Sequence, residues 1–199
     1  RRFAQAMSSA AIPHAAFTAA SIDLSDARRM LDIGGGPGLY AIAFAQRWPH
    51  LHVTILDHAD TLAVARENIV RTNVQERIHT MAGDALECDL GGPYDFILLS
   101  NVVHQYSDAT NRRLIAKASQ ALAPGGRLAI KDFILHPRRD GPLAASLFAI
   151  NMLVNTPEGD CYTAAEIRTW LREAGLRSKA QLTLYAPSRV LIGRKPDVR

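Results

Sequence analysis

Apolar positions along the chain fall into short strand-like segments separated by segments of helical spacing. The strand-like segments are rich in β-branched and apolar residues, and residues 94–99 are almost continuously apolar, as in a sheet covered on both faces. Helical segments separate them, which predicts right-handed βαβ units and a parallel, doubly wound α/β sheet. The predicted strands are Met30–Ile33, Leu51–Leu56, Arg77–Ala82, Tyr94–Leu99 and Arg127–Leu135.

Helix signals lie between these strands and after the last of them. Leu39–Trp48 has the pattern of a buried helix, and Asp108 is the predicted N-cap of a helix that Pro124 and two glycines end. Residues 137–160 predict an irregular, partly helical stretch, after which Thr163 caps another helix.

The end of the chain breaks the alternation of strand and helix. Two predicted strands, Lys179–Tyr185 and Arg189–Gly193, have only three residues between them. Because so short a link cannot make a parallel crossover, these strands predict an antiparallel hairpin at one edge. The whole pattern therefore predicts a mostly parallel seven-stranded sheet with a C-terminal antiparallel hairpin.

The chain opens on Arg1, and Phe3, Met7 and Ala10 follow at helical spacing. We therefore expect a helix that continues from an upstream segment of a longer protein. The length of 199 residues and the 48% hydrophobic content predict one domain with a sizeable core.

Composition narrows the classes of function. No apolar run approaches the roughly 20 residues of a membrane-spanning helix, and two cysteines make no disulfide framework, so we expect a cytoplasmic protein. Residues 168–199 hold eight basic and two acidic side chains. These are spread over a predicted helix and two strands, which favours a solvated face over a nucleic-acid or membrane partner.

A glycine-rich loop follows the first predicted strand, in the run LDIGGGPG. Glycines let the backbone approach a ligand, and the following helix offers free N–H groups. A dinucleotide fingerprint needs a third glycine where Leu39 stands. The spacing is instead G-x-G-x-G after an acid, and this suits the methionine end of S-adenosylmethionine. The alternative is a tight structural turn. The candidate residues are Asp32, Gly34 and Gly36.

Two further acids follow the next two strands. Asp57 ends the second strand, where a nucleoside-binding α/β fold places a carboxylate for the ribose hydroxyls, although Asp57 could also cap the next helix. Asp84 and Ala85 follow the third strand, where Asp84 could receive the exocyclic amine of adenine. Together with the glycine loop they predict one adenosine-sized crevice at the switch point of the sheet.

Several longer segments together resemble the S-adenosylmethionine-dependent small-molecule O-methyltransferases. They are LDIGGGPG, GDAL, YDFILLSNVVHQYSD, APGGRLAIKDFIL and YTAAEIRTWLREAGL. That family includes caffeic-acid and acetylserotonin O-methyltransferases and bacterial enzymes that act on polyketides and other aromatics. The resemblance extends from about Phe3 to Gly193. It implies the Rossmann-like class I methyltransferase fold, S-adenosyl-L-methionine as cofactor, S-adenosyl-L-homocysteine as product, and methyl transfer to a hydroxyl.

The resemblance also implies a catalytic pair. His104 matches the general base of the family, and imidazole is mostly neutral and able to accept a proton at pH 7. Asp132 matches a carboxylate that orients the ring, and because it is shorter than the usual Glu we expect room for a bridging water. The position of the second carboxylate falls near Cys161, with Asp160 adjacent, and Gln105 stands where the family usually has Asp.

The remaining implications concern the ligands and the assembly. Ser100 and Asn101 should lie near the methionine part of the cofactor. Relatives carry a helical N-terminal dimerisation domain, so residues 1–20 would be linker helices, residues 21–199 the catalytic domain, and the full-length parent a homodimer. A small aromatic acceptor should be lined by Met7, Phe148, Met152 and Asn155.

The sequence does not contain the motifs of other classes of methyltransferase. A metal-assisted catechol enzyme needs clustered acids near Asp132, so we expect no metal. Amino-methyltransferases of nucleic acids carry an Asn/Asp-Pro-Pro-aromatic turn, and cytosine-carbon enzymes a Pro-Cys nucleophile, and neither is present. Two alternatives remain open. One is a cofactor-binding domain without transfer activity, and the other is methyl transfer to N or C by positioning alone. A nicotinamide dehydrogenase is a more distant alternative.

Overall fold

A computed structural model describes residues 13–183 and 188–197, which form a central sheet covered by helices on both faces. The helices are α1 (residues 13–21), α2 (Leu39–Arg47), α3 (Ala59–Ile69), α4 (Asp108–Ala121), α5 (Leu143–Asn155) and α6 (Ala164–Glu173). The strands are β1 (Arg29–Ile33), β2 (His52–Asp57), β3 (Ile78–Ala82), β4 (Tyr94–Ser100), β5 (Leu122–Leu135), β6 (Tyr162–Thr163), β7 (Arg177–Thr183) and β8 (Ser188–Arg194). The predicted opening helix lies outside the described residues.

The sheet has the strand order β3-β2-β1-β4-β5-β8-β7. Strands β1 to β5 are parallel, and β8 pairs antiparallel with both β5 and β7. This confirms the predicted seven strands and the terminal hairpin. An eighth strand, β6, has only two residues and pairs with the end of β5, where Ile134 faces Tyr162. The sequence pattern missed it because so short a segment carries no periodicity.

Two hydrophobic clusters, one on each face, hold the layers together. One cluster joins α1, α2 and α3 to the sheet around Phe44 and Phe96, and the other joins α4 and α6 around Ile97 and Trp170. Residues of β4 enter both clusters, as its apolar run predicts. The strand order reverses between β1 and β4, so a crevice opens at their carboxyl ends.

Two local predictions need correction. Strand β5 begins at Leu122, five residues early, because Leu122 pairs with Tyr94 and a bulge separates this pair from the rest of the ladder. Helix α4 is capped by Ser107 rather than Asp108, and Asp108 accepts hydrogen bonds from Arg112 and Trp170 instead. The capping box of Thr163 and Glu166 on α6 agrees with the prediction.

Helix α5 covers 13 residues of the stretch that the sequence predicts as irregular and partly helical. Helix α5 is apolar on most of its surface, so the helical period of its sequence is weak. Its outward residues are 57–76% exposed, and they are Leu143, Leu147, Ile150, Leu153 and Val154.

Candidate functional site

A crevice opens at the carboxyl ends of β1 to β4. The sequence predicted four of its lining residues, which lie on three separate loops: Gly34, Asp57, Asp84 and Ala85. The opposite wall was not predicted and comes from the loop after β4 and from α4, with Val102, Gln105, Tyr106 and Leu114. These side chains carried no signal because they are ordinary apolar and polar residues that only the fold brings to the crevice.

The glycine loop owes its shape to two positions. Gly34 has φ +66°, and a Cβ atom there would lie 2.7 Å from Cγ2 of Val102. Gly36 has φ +56°, and a Cβ atom there would meet nothing within 4 Å. The first glycine therefore lets the loop after β4 approach β1, and the second presents bare backbone to open space.

Asp57 is fixed at the edge of the crevice by two backbone donors. The N–H of Gly36 donates to its Oδ2 at 2.8 Å, and the N–H of His58 donates to its Oδ1 at 2.7 Å. Asp84 is held in a similar way, since its Oδ1 accepts from the N–H of Leu86 at 2.8 Å. Both carboxylates are therefore ordered at positions where hydroxyl or amine donors of a ligand could reach them.

Asp32 lies fully buried beneath the glycine loop on β1. Neither carboxyl oxygen has a hydrogen-bond partner of normal geometry among the described residues. Burial and the negative charge of Asp57 raise the pKa of Asp32 to about 8, and the backbone N–H of Ala41 offsets this only in part. A cation bound next to this carboxyl group would supply the partner that it lacks.

The raised pKa of Asp32 predicts a pH-dependent stability. Between about pH 4 and pH 8 the folded protein holds a proton on Asp32 that the unfolded chain releases, so the free energy of unfolding falls as pH rises through this range. Asp32→Asn keeps the group neutral, so we expect it to raise the melting temperature by about 3 °C or more at pH 8.5 and by clearly less at pH 5, where the loss has only begun. Differential scanning calorimetry at both pH values measures this.

The matched control for that measurement is Glu67→Gln, which removes an exposed acid from α3. We expect the same small shift in melting temperature at both pH values, because this side chain is solvated. An equal shift for Asp32→Asn at pH 5 and pH 8.5 would show that Asp32 is not a buried neutral acid.

The loop after β4 carries His104 in a 3-10 turn over Val103–Gln105. Asn101 starts this loop with φ 58°, a left-handed conformation that asparagine tolerates better than most residues. Nδ2 of Asn111 on α4 donates to the carbonyl oxygens of Val103 at 2.8 Å and Tyr106 at 3.1 Å. Sequence reasoning missed Asn111, and its only signal was its place on the apolar side of a predicted helix.

His104 and Asp132 form a buried pair. Nδ1 of His104 lies 2.7 Å from Oδ1 of Asp132, and the two residues are 7% and 1% exposed. The backbone N–H groups of Phe133 and His104 also donate to this carboxylate, at 2.8 and 3.3 Å. The contact is direct, so the expectation of a bridging water is wrong. The loop after β4 places the imidazole against β5, so the short side chain of Asp132 reaches Nδ1 without a bridging water.

Among the residues predicted to line the pocket of the methyl acceptor, Phe148 on α5 contacts the imidazole directly. Its ring meets that of His104 edge-on at 4.8 Å and stacks on Phe133 at 4.2 Å, measured between ring centroids. Met152 lies on the same helix and is buried. Asn155 is exposed and donates to Asn151 of its own helix, and Met7 lies outside the described residues.

The segment of Asp160 and Cys161 does not provide a second carboxylate for the imidazole. The carboxylate of Asp160 pairs with Arg139, and its backbone N–H donates to the carbonyl oxygen of His104 at 3.0 Å. Burial, together with the charges of Asp132 and Asp160, raises the pKa of Cys161 to about 12, so it stays a thiol at neutral pH. This segment therefore supports the His104 loop through its backbone.

Comparison with known proteins identifies the family of this chain. A sequence model of the O-methyltransferase domain matches residues 1–177. The chain belongs to the O-methyltransferase domain family. Over 169 residues this domain is 39% identical to 3-hydroxy-5-methyl-1-naphthoate 3-O-methyltransferase of Streptomyces sahachiroi, a match that covers 85% of the domain and 49% of that protein.

Solved structures show the same fold. An O-methyltransferase family 2 protein of Planctomyces limnophilus, in complex with apigenin, superposes with a TM-score of 0.91 at 31% identity. Human N-acetylserotonin methyltransferase, in complex with SAM, superposes with a TM-score of 0.85 at 28% identity. Each comparison covers 98% of this domain, but 60% and 55% of those chains. The O-methyltransferase domain therefore spans about half the length of its relatives.

Two features of the described residues concern metal ions and membranes. Within residues 13–183 and 188–197, no three His, Cys, Asp or Glu side chains are grouped to hold a metal ion. In the same part of the chain, no helix has the length and apolarity to span a bilayer.

Proposed function

We propose that the protein containing this domain transfers the methyl group of S-adenosyl-L-methionine to a hydroxyl of a small aromatic or polyketide-like acceptor. The observation that carries the proposal is the buried contact of His104 with Asp132, beside a crevice that the glycine loop, Asp57 and Asp84 line. A base next to a crevice lined by carboxylates and bare backbone is what methyl transfer from a nucleoside donor to a hydroxyl requires.

The residues of the crevice fit the cofactor. Asp57 would receive the ribose hydroxyls, Asp84 the adenine amine with Ala85 against the base, and the bare backbone of Gly34 and Gly36 would allow close approach. The partnerless oxygens of Asp32 suit the positive charge of the amino-acid end. The cofactor, when bound, supplies a methyl group on a positively charged sulfur that a hydroxyl oxygen can attack.

His104 would act as the general base. Because Asp132 accepts at Nδ1, that nitrogen carries the proton, and Nε2 is left with a lone pair to take the proton of the acceptor hydroxyl. The ion pair with Asp132 would then stabilise the imidazolium that forms. Asp132 is buried, holds the ring through one hydrogen bond and is itself fixed by two backbone N–H donors, so the base is already oriented before the acceptor arrives.

The acceptor class rests on the aromatic surround of His104. Phe148 and Phe133 form a stacked pair against the imidazole, a surface suited to the face of an aromatic ring. Met152 would add a flexible apolar wall, and Met7 and Asn155 stay predictions. The naphthoate enzyme of Streptomyces sahachiroi and the apigenin complex of the Planctomyces limnophilus protein support an aromatic hydroxyl compound.

Two measurements on a full-length protein containing this chain test the proposal. Calorimetry should show binding of S-adenosylmethionine and S-adenosylhomocysteine and no preference for NAD. Labelled cofactor with a panel of phenols and polyketide-like aromatics should give O-methylated product from at least one compound. Binding without any product would favour a cofactor-binding domain, and product labelled on nitrogen or carbon would move the chemistry away from a hydroxyl.

We further propose that the full-length parent is a homodimer, with residues 1–20 as linker helices to a dimerisation domain and residues 21–199 as the catalytic domain. The exposed apolar face of α5 supports this, because monomeric proteins rarely leave such a surface uncovered. Sedimentation of the full-length protein as a monomer would contradict it.

The free cysteines Cys88 and Cys161 support a reducing cytoplasm, and we propose no metal, nucleic-acid or membrane partner.

A further inference from the structure

Three polar side chains lie next to one another on the face of the sheet that α2 covers. They are Asp32 on β1, Ser100 on β4 and Lys131 on β5, and they are 0%, 8% and 3% exposed. Each of them stands two residues after a member of the hydrophobic cluster on that face. Because side chains two residues apart on a strand point to the same side, all three side chains point to this face. We call these residues the polar row.

Two members of the polar row have no hydrogen-bond partner among the described residues. Both carboxyl oxygens of Asp32 and the hydroxyl of Ser100 are buried without a hydrogen bond among the described residues. Ser100 and Lys131 are paired across β4 and β5, so these two side chains are immediate neighbours. Unpaired buried polar groups are rare in folded proteins, and two of them in one row with a buried lysine indicate a polar ligand.

Lys131 is the least expected member, because it is a buried cation without an acid beside it. Its Nζ donates to Oδ1 of Asn101 at 3.2 Å and lies 5.5 Å from the ring centroid of Tyr40, in the first turn of α2. Among the described residues no carboxylate pairs with it. A neutral amide and an aromatic face compensate a buried ammonium only in part, so an anion would complete the site.

The charges of the polar row match an α-amino acid. Asp32, at one end, lies beneath the glycine loop, and Lys131, two strands away, can receive an anion, with the hydroxyl of Ser100 between them. The amino-acid end of S-adenosylmethionine carries an ammonium and a carboxylate on one carbon. The polar row lies at the carboxyl end of the sheet, against the first turn of α2. It is therefore next to the crevice that we assign to the adenosine.

We propose that Lys131, with the hydroxyl of Ser100, binds the α-carboxylate of S-adenosylmethionine, while Asp32 faces the α-ammonium. The proposal rests on the proposed function and adds a residue to it. In this arrangement Asn101 is a positioning residue, because its amide oxygen holds the ammonium of Lys131 in place.

The test compares ligands with and without the α-carboxylate. Calorimetry on the full-length protein would use S-adenosylhomocysteine, decarboxylated S-adenosylmethionine and 5′-methylthioadenosine, with wild type, Lys131→Met and Ser100→Ala. We expect Lys131→Met to weaken S-adenosylhomocysteine binding about tenfold or more, and Ser100→Ala to weaken it less. The affinities for the decarboxylated cofactor and for methylthioadenosine should stay nearly unchanged.

A matched control is Lys117→Met, which removes the same charge from a partly exposed position of α4 on the other face of the sheet. It should leave all three affinities unchanged. Replacing a buried cation by a similar apolar side chain should leave the melting temperature of the ligand-free protein equal or higher. A large fall in that temperature for Lys131→Met would instead mark Lys131 as a structural residue.

The other outcomes separate the possible failures. Equal weakening of all three ligands would overturn the carboxylate contact and leave the proposed function in place. Unchanged affinity for S-adenosylhomocysteine, with a raised KM for acceptors that carry a carboxylate, would overturn it too and assign Lys131 to the acceptor. Failure of the wild type to bind any of the three ligands would instead overturn the proposed function itself.

Discussion

Replacing His104 by Ala in the full-length protein is expected to lower turnover of an unactivated phenol roughly 10²–10⁴-fold, the usual contribution of a positioned base. The buried contact with Asp132 orients the ring with Nε2 as the acceptor nitrogen, and alanine removes that acceptor. Cofactor affinity should change little, because His104 is not among the residues that line the crevice. Rates of methyl transfer and calorimetry on the same preparations measure both quantities.

Three comparisons make this prediction specific. The loss should shrink for a phenol with an acidic hydroxyl, because such an acceptor ionises without help. Asp132→Asn should cost less than His104→Ala, since it disturbs ring orientation and retains the imidazole. His79→Ala, at an exposed position of β3, should keep full activity. Near-wild-type turnover of His104→Ala on an unactivated phenol would mean that transfer proceeds by positioning alone.

The second large effect concerns Asp57. We expect Asp57→Ala to weaken binding of S-adenosylmethionine at least about tenfold, equivalent to about 1.4 kcal/mol. The change removes the carboxylate proposed to receive both ribose hydroxyls, and it also removes the acceptor of the Gly36 N–H, which orders the glycine loop. Titration calorimetry with the cofactor and with its demethylated product measures the effect.

The two contributions of Asp57 can be separated. Asp57→Asn keeps one oxygen that can accept from Gly36 but lacks the charge and the second acceptor, so its loss should be intermediate. Asp60→Ala, an exposed acid in the first turn of α3, is the control and should bind the cofactor normally. Unchanged affinity in Asp57→Ala would remove this residue from the ribose site, and preferential binding of NAD would overturn the choice of cofactor.

The sequence by itself determined the strands, their order of appearance and the terminal hairpin, because these depend on local information. A buried parallel strand needs a short apolar run, a helix needs apolar residues at a period of 3.6, and a hairpin needs a short link. The same holds for Gly34, Gly36 and Asp57, whose places are fixed by the strand end that each follows. These residues could therefore be assigned to one crevice before any contact was known.

Only the tertiary structure decided the contacts between residues distant in the chain. His104 and Asp132 are 28 residues apart, and whether they touch depends on the loop after β4, which Asn111 and the backbone of Asp160 hold in place. In the sequence Lys131 is one residue of a predicted strand, and only the fold brings Asn101 and Tyr40 next to it. The early start of β5 and the bounds of α5 also escaped prediction. Their stability comes from strand pairing and packing with distant residues, and local patterns carry no record of such partners.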